Sequence, residues 1–386
     1  MASTSLLFPR IVHMGGGASR LLPHVLQKLQ LTRPFVVTDP FLYQKSNIVE
    51  DLIHAWKKHP PNEVGVPKID NISVFYETVP DPTSAVVQEG IRRLQGGCDP
   101  DCLVAIGGGS PIDTAKAMAQ DCGRTLPVVA VPTTAGTGSE MTRFAVITDS
   151  DTGEKRLLQS LAMQPVAALV DYELTLQLPQ RVTADTGIDA LTHAVEAYVS
   201  RKQHTVADVF CREAIRTIGT ALRPAFHDGT PAAREALMRA ASLAGLAFNH
   251  SSVALVHGMS RPLGAHFHLT HGASNAVLFP TLTRWSMESP ALSRYATVAR
   301  ELGVADTTLT DIQAATRLLD ELLAINEELK VPTLASTPGV SSQYWDSMIP
   351  TMAEQALASG SPNNNPRIPT LAEIEDLYRQ AYQETW

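Results

Sequence analysis

VAIGGGSPIDTAK, residues 104–116, runs an apolar strand straight into Gly107, Gly108, Gly109 and Ser110, and from there into a helix. Pro111 falls near the first turn of that helix, where its fixed φ and missing donor cost nothing. Glycines leave backbone N–H groups uncovered, and a helix N-terminus aims them at one point, so the segment is suited to a pyrophosphate. The spacing is not GxGxxG, and taken alone the segment reads only as a candidate phosphate loop. Its strand–turn–helix form has company, however. PFVVTD (34–39), NISVFYETV (71–79) and PVVAVPTT (127–134) are further β-branched runs, with helical stretches such as TSAVVQEGIRRLQ (83–95) between them. This alternation predicts a mostly parallel sheet covered by helices, an α/β dinucleotide-binding domain.

Beyond residue 180 the pattern changes. Residues 184–200, 205–222, 232–251 and 309–329 are amphipathic and long enough for helices, with no strand pattern between them. The second half therefore reads as an all-α domain. A proline ahead of a Thr/Asp cluster in LTLQLPQRVTAD (174–185) marks the break, and we place the domains at 1–180 and 181–386. SGSPNNNPRIPT (359–370) reads as a polar, Pro-punctuated loop before a last helix.

The chain's 386 residues, 44% hydrophobic and 18% charged, are enough for two sizeable cores. A formal charge of −8, with no Lys/Arg block, argues against a nucleic-acid partner. No long apolar run argues for a membrane span or a secretory signal, so the expectation is a cytoplasmic protein without a membrane partner. Cys98, Cys102, Cys122 and Cys211 make no paired CxxC framework and read as reduced, mostly buried thiols rather than a metal site. In IVHMGGGASRL (11–21) three glycines after an apolar strand read as a tight turn.

PTTAGTGSEMT (132–142) is a second loop after a strand, carrying the hydroxyls of Thr133, Thr134 and Thr137. Two such loops at strand C-termini are what an open α/β sheet needs to hold a dinucleotide. Asp39, ending PFVVTD, is placed to accept from a ribose 2′-hydroxyl and would repel a 2′-phosphate, which favours NAD over NADP. In TGIDALTHAVEAY, Asp189 and His193 leave one face of a helix one turn apart, able either to chelate a divalent ion or to hydrogen-bond each other. HGMSRPLGAHFHLTHG (257–272) adds His257, His266, His268 and His271. With His257 and His271 the set becomes mixed N/O, suited to Fe2+ or Zn2+ and poor for Mg2+ or Ca2+.

In their order and spacing, GGGSPIDTAKA, PTTAGTGSEMT with AVITD, TGIDALTHAVEAYVS and HGMSRPLGAHFHLTHGASNAVLFP resemble the iron-containing (group III) alcohol dehydrogenases. The resemblance covers nearly the whole chain, including NPRIPT. It implies a nucleotide-binding α/β domain, a helical metal-binding domain and an active site in a cleft between them. It implies Asp189, His193, His257 and His271 as ligands of one divalent metal, Fe2+ or Zn2+. For NAD(H) it implies Gly107, Gly108, Gly109, Ser110 and Asp113 in the pyrophosphate segment, the hydroxyls of Thr133, Thr134 and Thr137, and Lys155. The family also implies a homo-oligomer, a dimer or larger.

At one place the chain departs from the family. The common pattern HxMxHPLG puts a second histidine four residues after the first ligand, and here that position is Arg261. Arginine does not titrate usefully, so the proton must come through water, a cofactor hydroxyl, or another side chain such as His266 or His268; we assign His268 to that role. Arg261 offers a fixed fork of donors to an oxyanion. The expected function is reduction of a short-chain aldehyde by NADH, with a sulfonate, phosphonate or carboxylate on the substrate for Arg261 to bind. The alternatives are a reductase of neutral short-chain aldehydes or diols, and a metal- and NAD-dependent lyase resembling 3-dehydroquinate synthase.

Overall fold

The computed structural model describes residues 5–58, 69, 72–97 and 99–386. The chain separates into two compact units, Met1–Gln177 and Leu178–Trp386.

The strands of the first unit are β1 (Ile11–Met14), β2 (Pro34–Val37), β3 (Ser73–Phe75), β4 (Cys102–Gly107), β5 (Val128–Pro132), β6 (Phe144–Thr148), β7 (Lys155–Gln159) and β8 (Ala167–Val170). Its helices are α1 (Leu22–Leu29), α2 (Pro40–Gln44), α3 (Ile48–Lys58), α4 (Ser84–Gln95) and α5 (Gly109–Asp121). Among the described residues six strands form one sheet in the order β1-β8-β5-β4-β2-β3, every neighbouring pair parallel. The expected parallel sheet is present. β6 and β7 stand apart from it as an antiparallel hairpin, and β8, too short and alanine-rich to stand out in the sequence, supplies the partner that joins β1 to β5.

Alternation along the strands explains why these segments read as unbroken apolar runs. Leu103 and Ala105 of β4 pack with Phe35, Val37, Val128 and Ala130 on one face. Cys102, Val104 and Ile106 pack with Val36, Val129 and Val131 on the other. Both faces are covered, so no position is left for a polar residue. Cys102, Cys122 and Cys211 are free and buried, and burial pushes the thiols of Cys102 and Cys211 well up. Cys98 lies outside the described residues.

The second unit consists of α6 (Gln180–Val199), α7 (Thr205–His227), α8 (Pro231–His250), α9 (Leu255–Phe267), α10 (His271–Met287), α11 (Leu292–Glu301), α12 (Asp311–Glu328), α13 (Ser342–Ala358) and α14 (Leu371–Gln383), joined by loops and short 3-10 turns. The central helix α6 is buried almost all round from Thr183 to Val199. Gly187 makes this possible, since a Cβ there would overlap Leu222 of α7. No helix among the described residues is long and apolar enough to cross a membrane.

Candidate functional site

In the first unit the strand order reverses direction between β2 and β4, the point at which open α/β sheets bind ligands outside their strand C-termini. Two segments named from the sequence flank it. Asp39 follows the end of β2, and Gly107 ends β4, with Gly108 and Gly109 leading into α5. Gly107, with φ 150°, turns the chain where a side chain would overlap Pro111. A Cβ on Gly108 would come within 3.2 Å of Thr134, and one on Gly109 within 2.9 Å of Thr137, so the glycine and hydroxyl loops lie against each other. The N-terminus of α5, which includes Ser110, carries no side-chain cap. An uncapped helix N-terminus of this kind is a ready binding point for an anion. The loop at Gly15–Gly17 differs, because Asp171 accepts from Gly17 N (3.1 Å), Ser19 N (3.1 Å) and Ser19 Oγ (2.5 Å). That turn is filled by the protein's own carboxylate.

Asp39 Oδ1 caps α2 by accepting from Leu42 N at 2.9 Å, and burial raises its pKa against the pull of those N–H groups. Thr133 is buried, while Thr134 and Thr137 are half-exposed. Two of the expected cofactor residues have partners within the protein. Asp113 accepts from Ser139 Oγ at 2.6 Å and from Val146 N at 2.8 Å, so its two oxygens join α5 to the hydroxyl loop and to β6. Lys155 Nζ pairs with Asp81 at 2.7 Å. Lys116, missed in the sequence, is fully buried and donates to Ser139 O, Ser139 Oγ and Phe144 O at 2.7 Å each and to Thr142 Oγ1 at 3.2 Å. Lys116 ties down the end of the hydroxyl loop.

In the second unit the four residues proposed as ligands converge. Ligand atoms of Asp189, His193, His257 and His271 all lie within 4.8 Å of one another. Asp189 Oδ1 is 3.7 Å from His193 Nδ1, 3.5 Å from His257 Nε2 and 3.6 Å from His271 Nε2. A tetrahedron with bonds of about 2.1 Å has edges of about 3.4 Å, so one small divalent ion fits this spacing. Burial alone would raise the Asp189 carboxyl, but the three imidazoles hold it far below its ordinary value. His257 is the third residue of α9 and His271 the first of α10, so each ligand is presented where a helix begins.

Four further residues build the cluster, and none stood out in the sequence. Glu196, one turn beyond His193 on α6, reaches His257 Nδ1 at 2.7 Å. Asn275, fully buried, donates from Nδ2 to Asp189 Oδ1 at 2.7 Å and lies 3.2 Å from His257 Nε2. Gly272 lets the start of α10 meet the Asp185 backbone, while Thr270 caps α10 and donates to Asp185 Oδ2 at 3.0 Å. A residue without chemistry of its own leaves little trace in a sequence, and close approach or capping becomes visible only in the fold.

Arg261 lies one turn past His257 on α9 and is buried, donating from Nη1 to Ser361 Oγ at 2.9 Å. No carboxylate pairs with its guanidinium within 4.0 Å among the described residues; burial brings its pKa down to about 10, with the charge of Glu196 opposing. Ser361 belongs to the segment expected as a polar loop. Ser361, Asn364 and Asn365 are in fact buried, because Asn364 Nδ2 satisfies Ser252 Oγ and Val253 O and Asn365 Nδ2 satisfies Ser286 Oγ. His268 does not join the cluster: it is exposed and ends α9 in the left-handed conformation, φ 56°. His266 bonds Gln355 of α13 at 2.9 Å.

A nucleotide-type sheet and a helical unit with a three-histidine, one-carboxylate cluster are the make-up of a metal-dependent dehydrogenase. Residues 9–172 match the family model for iron-containing alcohol dehydrogenase and residues 183–382 the model for the C-terminal part of the Fe-containing alcohol dehydrogenase family, so the chain belongs to the iron-containing alcohol dehydrogenases. It is 36% identical to 1-propanol dehydrogenase of Salmonella typhimurium, over 92% of this chain and 95% of that protein. It is 33% identical to the NAD-dependent methanol dehydrogenase of Bacillus methanolicus, over 98% of this chain and 100% of the relative. The alcohol dehydrogenase structure from Oenococcus oeni superposes with a TM-score of 0.90 at 30% identity, covering 98% of this chain and 100% of that one.

Proposed function

We propose that the chain is an NAD(H)-dependent alcohol dehydrogenase working as a reductase of short-chain aldehydes. The observation that carries this reading is the convergence of three imidazole nitrogens to 3.5–3.7 Å from Asp189 Oδ1 in a member of this family. Asp189, His193, His257 and His271 hold one divalent ion, Fe2+ or Zn2+. Gly107, Gly108, Gly109 and Ser110 hold the pyrophosphate, with Thr134 and Thr137 beside them, and Asp39 takes the ribose. When bound, NADH supplies the hydride and the cation stabilises the negative charge that builds on the carbonyl oxygen. Asn275 holds the Asp189 carboxylate in place through its 2.7 Å hydrogen bond. His268 is exposed, and Asp113 is bonded to Ser139 and Val146.

For the substrate we propose an aldehyde with an anionic group. Arg261 is a buried cation with Ser361 as its hydrogen-bond partner and no carboxylate paired with it among the described residues, and such a charge calls for an anion. A second reading is a neutral short-chain aldehyde, favoured by the names of the propanol and methanol dehydrogenases. The test is NADH consumption by Fe2+- and Zn2+-loaded protein across matched anionic and neutral aldehydes. No turnover with any aldehyde and either metal refutes the dehydrogenase reading. A preference for propanal over every anionic analogue refutes the anionic one.

A further inference from the structure

From the contacts around Glu196 we infer that this residue is a positioning residue for the metal: it holds His257 in the tautomer that leaves Nε2 bare toward Asp189. The inference rests on reading the cluster as a metal site.

Glu196 is buried on α6, and its carboxylate is surrounded by donors from the start of α9. Oε1 accepts from Val256 N at 2.6 Å, and Oε2 from Ala254 N at 2.8 Å and His257 N at 3.4 Å. The N-cap of α9, Ala254, has no side-chain cap, so Glu196 serves as one from another helix. The same Oε2 is 2.7 Å from His257 Nδ1. An ionised carboxylate only accepts, so Nδ1 must carry the hydrogen. A neutral His257 then has its lone pair on Nε2, the nitrogen 3.5 Å from Asp189 Oδ1. A second contact is compatible with this: Asn275 Nδ2, a donor whose shortest bond, 2.7 Å, goes to Asp189 Oδ1, also lies 3.2 Å from Nε2, where a bare nitrogen accepts. Glu196 thus sets the placement of α9 and the proton position on its ligand through one carboxylate. Outer carboxylates of this kind orient histidine ligands and raise their basicity.

Glu196→Ala removes the helix cap as well as the tautomer lock, so loss of folding in that variant would not separate the two roles. Glu196→Gln keeps the shape and can still accept from Val256 N. With its amide NH2 at the Oε2 position it donates to Nδ1 and drives the hydrogen to Nε2, where it blocks a ligand bond, but it then meets Ala254 N; with the NH2 at the Oε1 position it meets Val256 N instead, so either orientation loses a bond that sets the start of α9. Zn2+ affinity of metal-stripped protein, measured by chelator competition, should fall about 10- to 100-fold in Glu196→Gln, with Glu196→Asp recovering part of the loss. Nitrogen-15 NMR of the metal-stripped wild type should show His257 protonated at Nδ1, and the Gln variant should shift it to Nε2. Wild-type Zn2+ affinity in Glu196→Gln, or an Nε2–H tautomer in the wild type, overturns the inference. His257→Ala run alongside separates the two readings. If it loses Zn2+ while Glu196→Gln keeps it, the metal site stands and the role of Glu196 falls; if His257→Ala itself binds Zn2+ as tightly as wild type, the metal reading falls.

Discussion

The main-chain carbonyl of Asp185 occupies the space that a methyl group on Gly272 would need, so α6 and the first turn of α10 meet backbone to backbone. Asp185 is one turn before Asp189, and Gly272 directly follows His271. This contact therefore sets how closely two of the proposed ligands approach. Gly272→Ala should cost about 1–3 kcal/mol or more through overpacking, and should weaken metal binding beyond what the stability loss explains. Thermal melts with and without Zn2+ check this: wild-type stability and wild-type stabilisation by the ion would show that the contact is not tight.

His257→Ala should abolish turnover and metal retention while leaving NADH binding intact, because the cofactor loops belong to the other unit. Metal content by elemental analysis, alongside NADH fluorescence titration, gives the answer. Stoichiometric metal with full activity would remove His257 from the ligand set.

Asp39 should make kcat/KM favour NADH over NADPH by at least about tenfold, through repulsion of a 2′-phosphate. Asp39→Gly should narrow the gap. Although Asp39 caps α2, glycine at an N-cap costs only a few tenths of a kcal/mol, so the variant should fold and report on the cofactor alone. Equal use of both cofactors by the wild type would take Asp39 out of the ribose site.

Arg261→Ala should raise KM for an anionic aldehyde, sulfoacetaldehyde or succinic semialdehyde, by about tenfold to a hundredfold, and leave a neutral aldehyde of equal length nearly unchanged. Equal damage to both would assign the guanidinium to the fold through Ser361.

Burial pushes the Lys116 ammonium down to a pKa of about 8, well below the ordinary lysine range. Over that window the unfolded chain binds more protons at this residue than the folded one, so its contribution to stability rises with pH. The stability difference between wild type and Lys116→Met should shift in favour of the wild type by about 1–2 kcal/mol from below pH 8 to above pH 9. Urea midpoints at the two pH values measure it, and a constant difference would show that the four acceptors hold the lysine charged throughout.

The layer architecture was legible along the chain because hydrophobic period and glycine punctuation are local properties. Strands such as Cys102–Gly107 are apolar at every position since both faces are covered, and α6 to α8 are long enough to show their period. Asp189 and His193 could be paired from the sequence because helical spacing alone puts them on one face. His257 and His271 were named with them, yet whether those atoms meet depends on Gly272 and Asp185, residues 87 positions apart in the chain and in backbone contact in the fold. Tertiary structure also decided what the other candidates touch: Asp113 bonds Ser139 and Val146, and Lys155 pairs with Asp81. The same is true of Glu196, which in sequence is one more acidic residue on a helix and in the fold is the acceptor for His257 Nδ1. The physical reason is common to all of them. A hydrogen-bonding group advertises its chemistry in the sequence, but its partner is chosen by packing, and packing joins segments that no local pattern links.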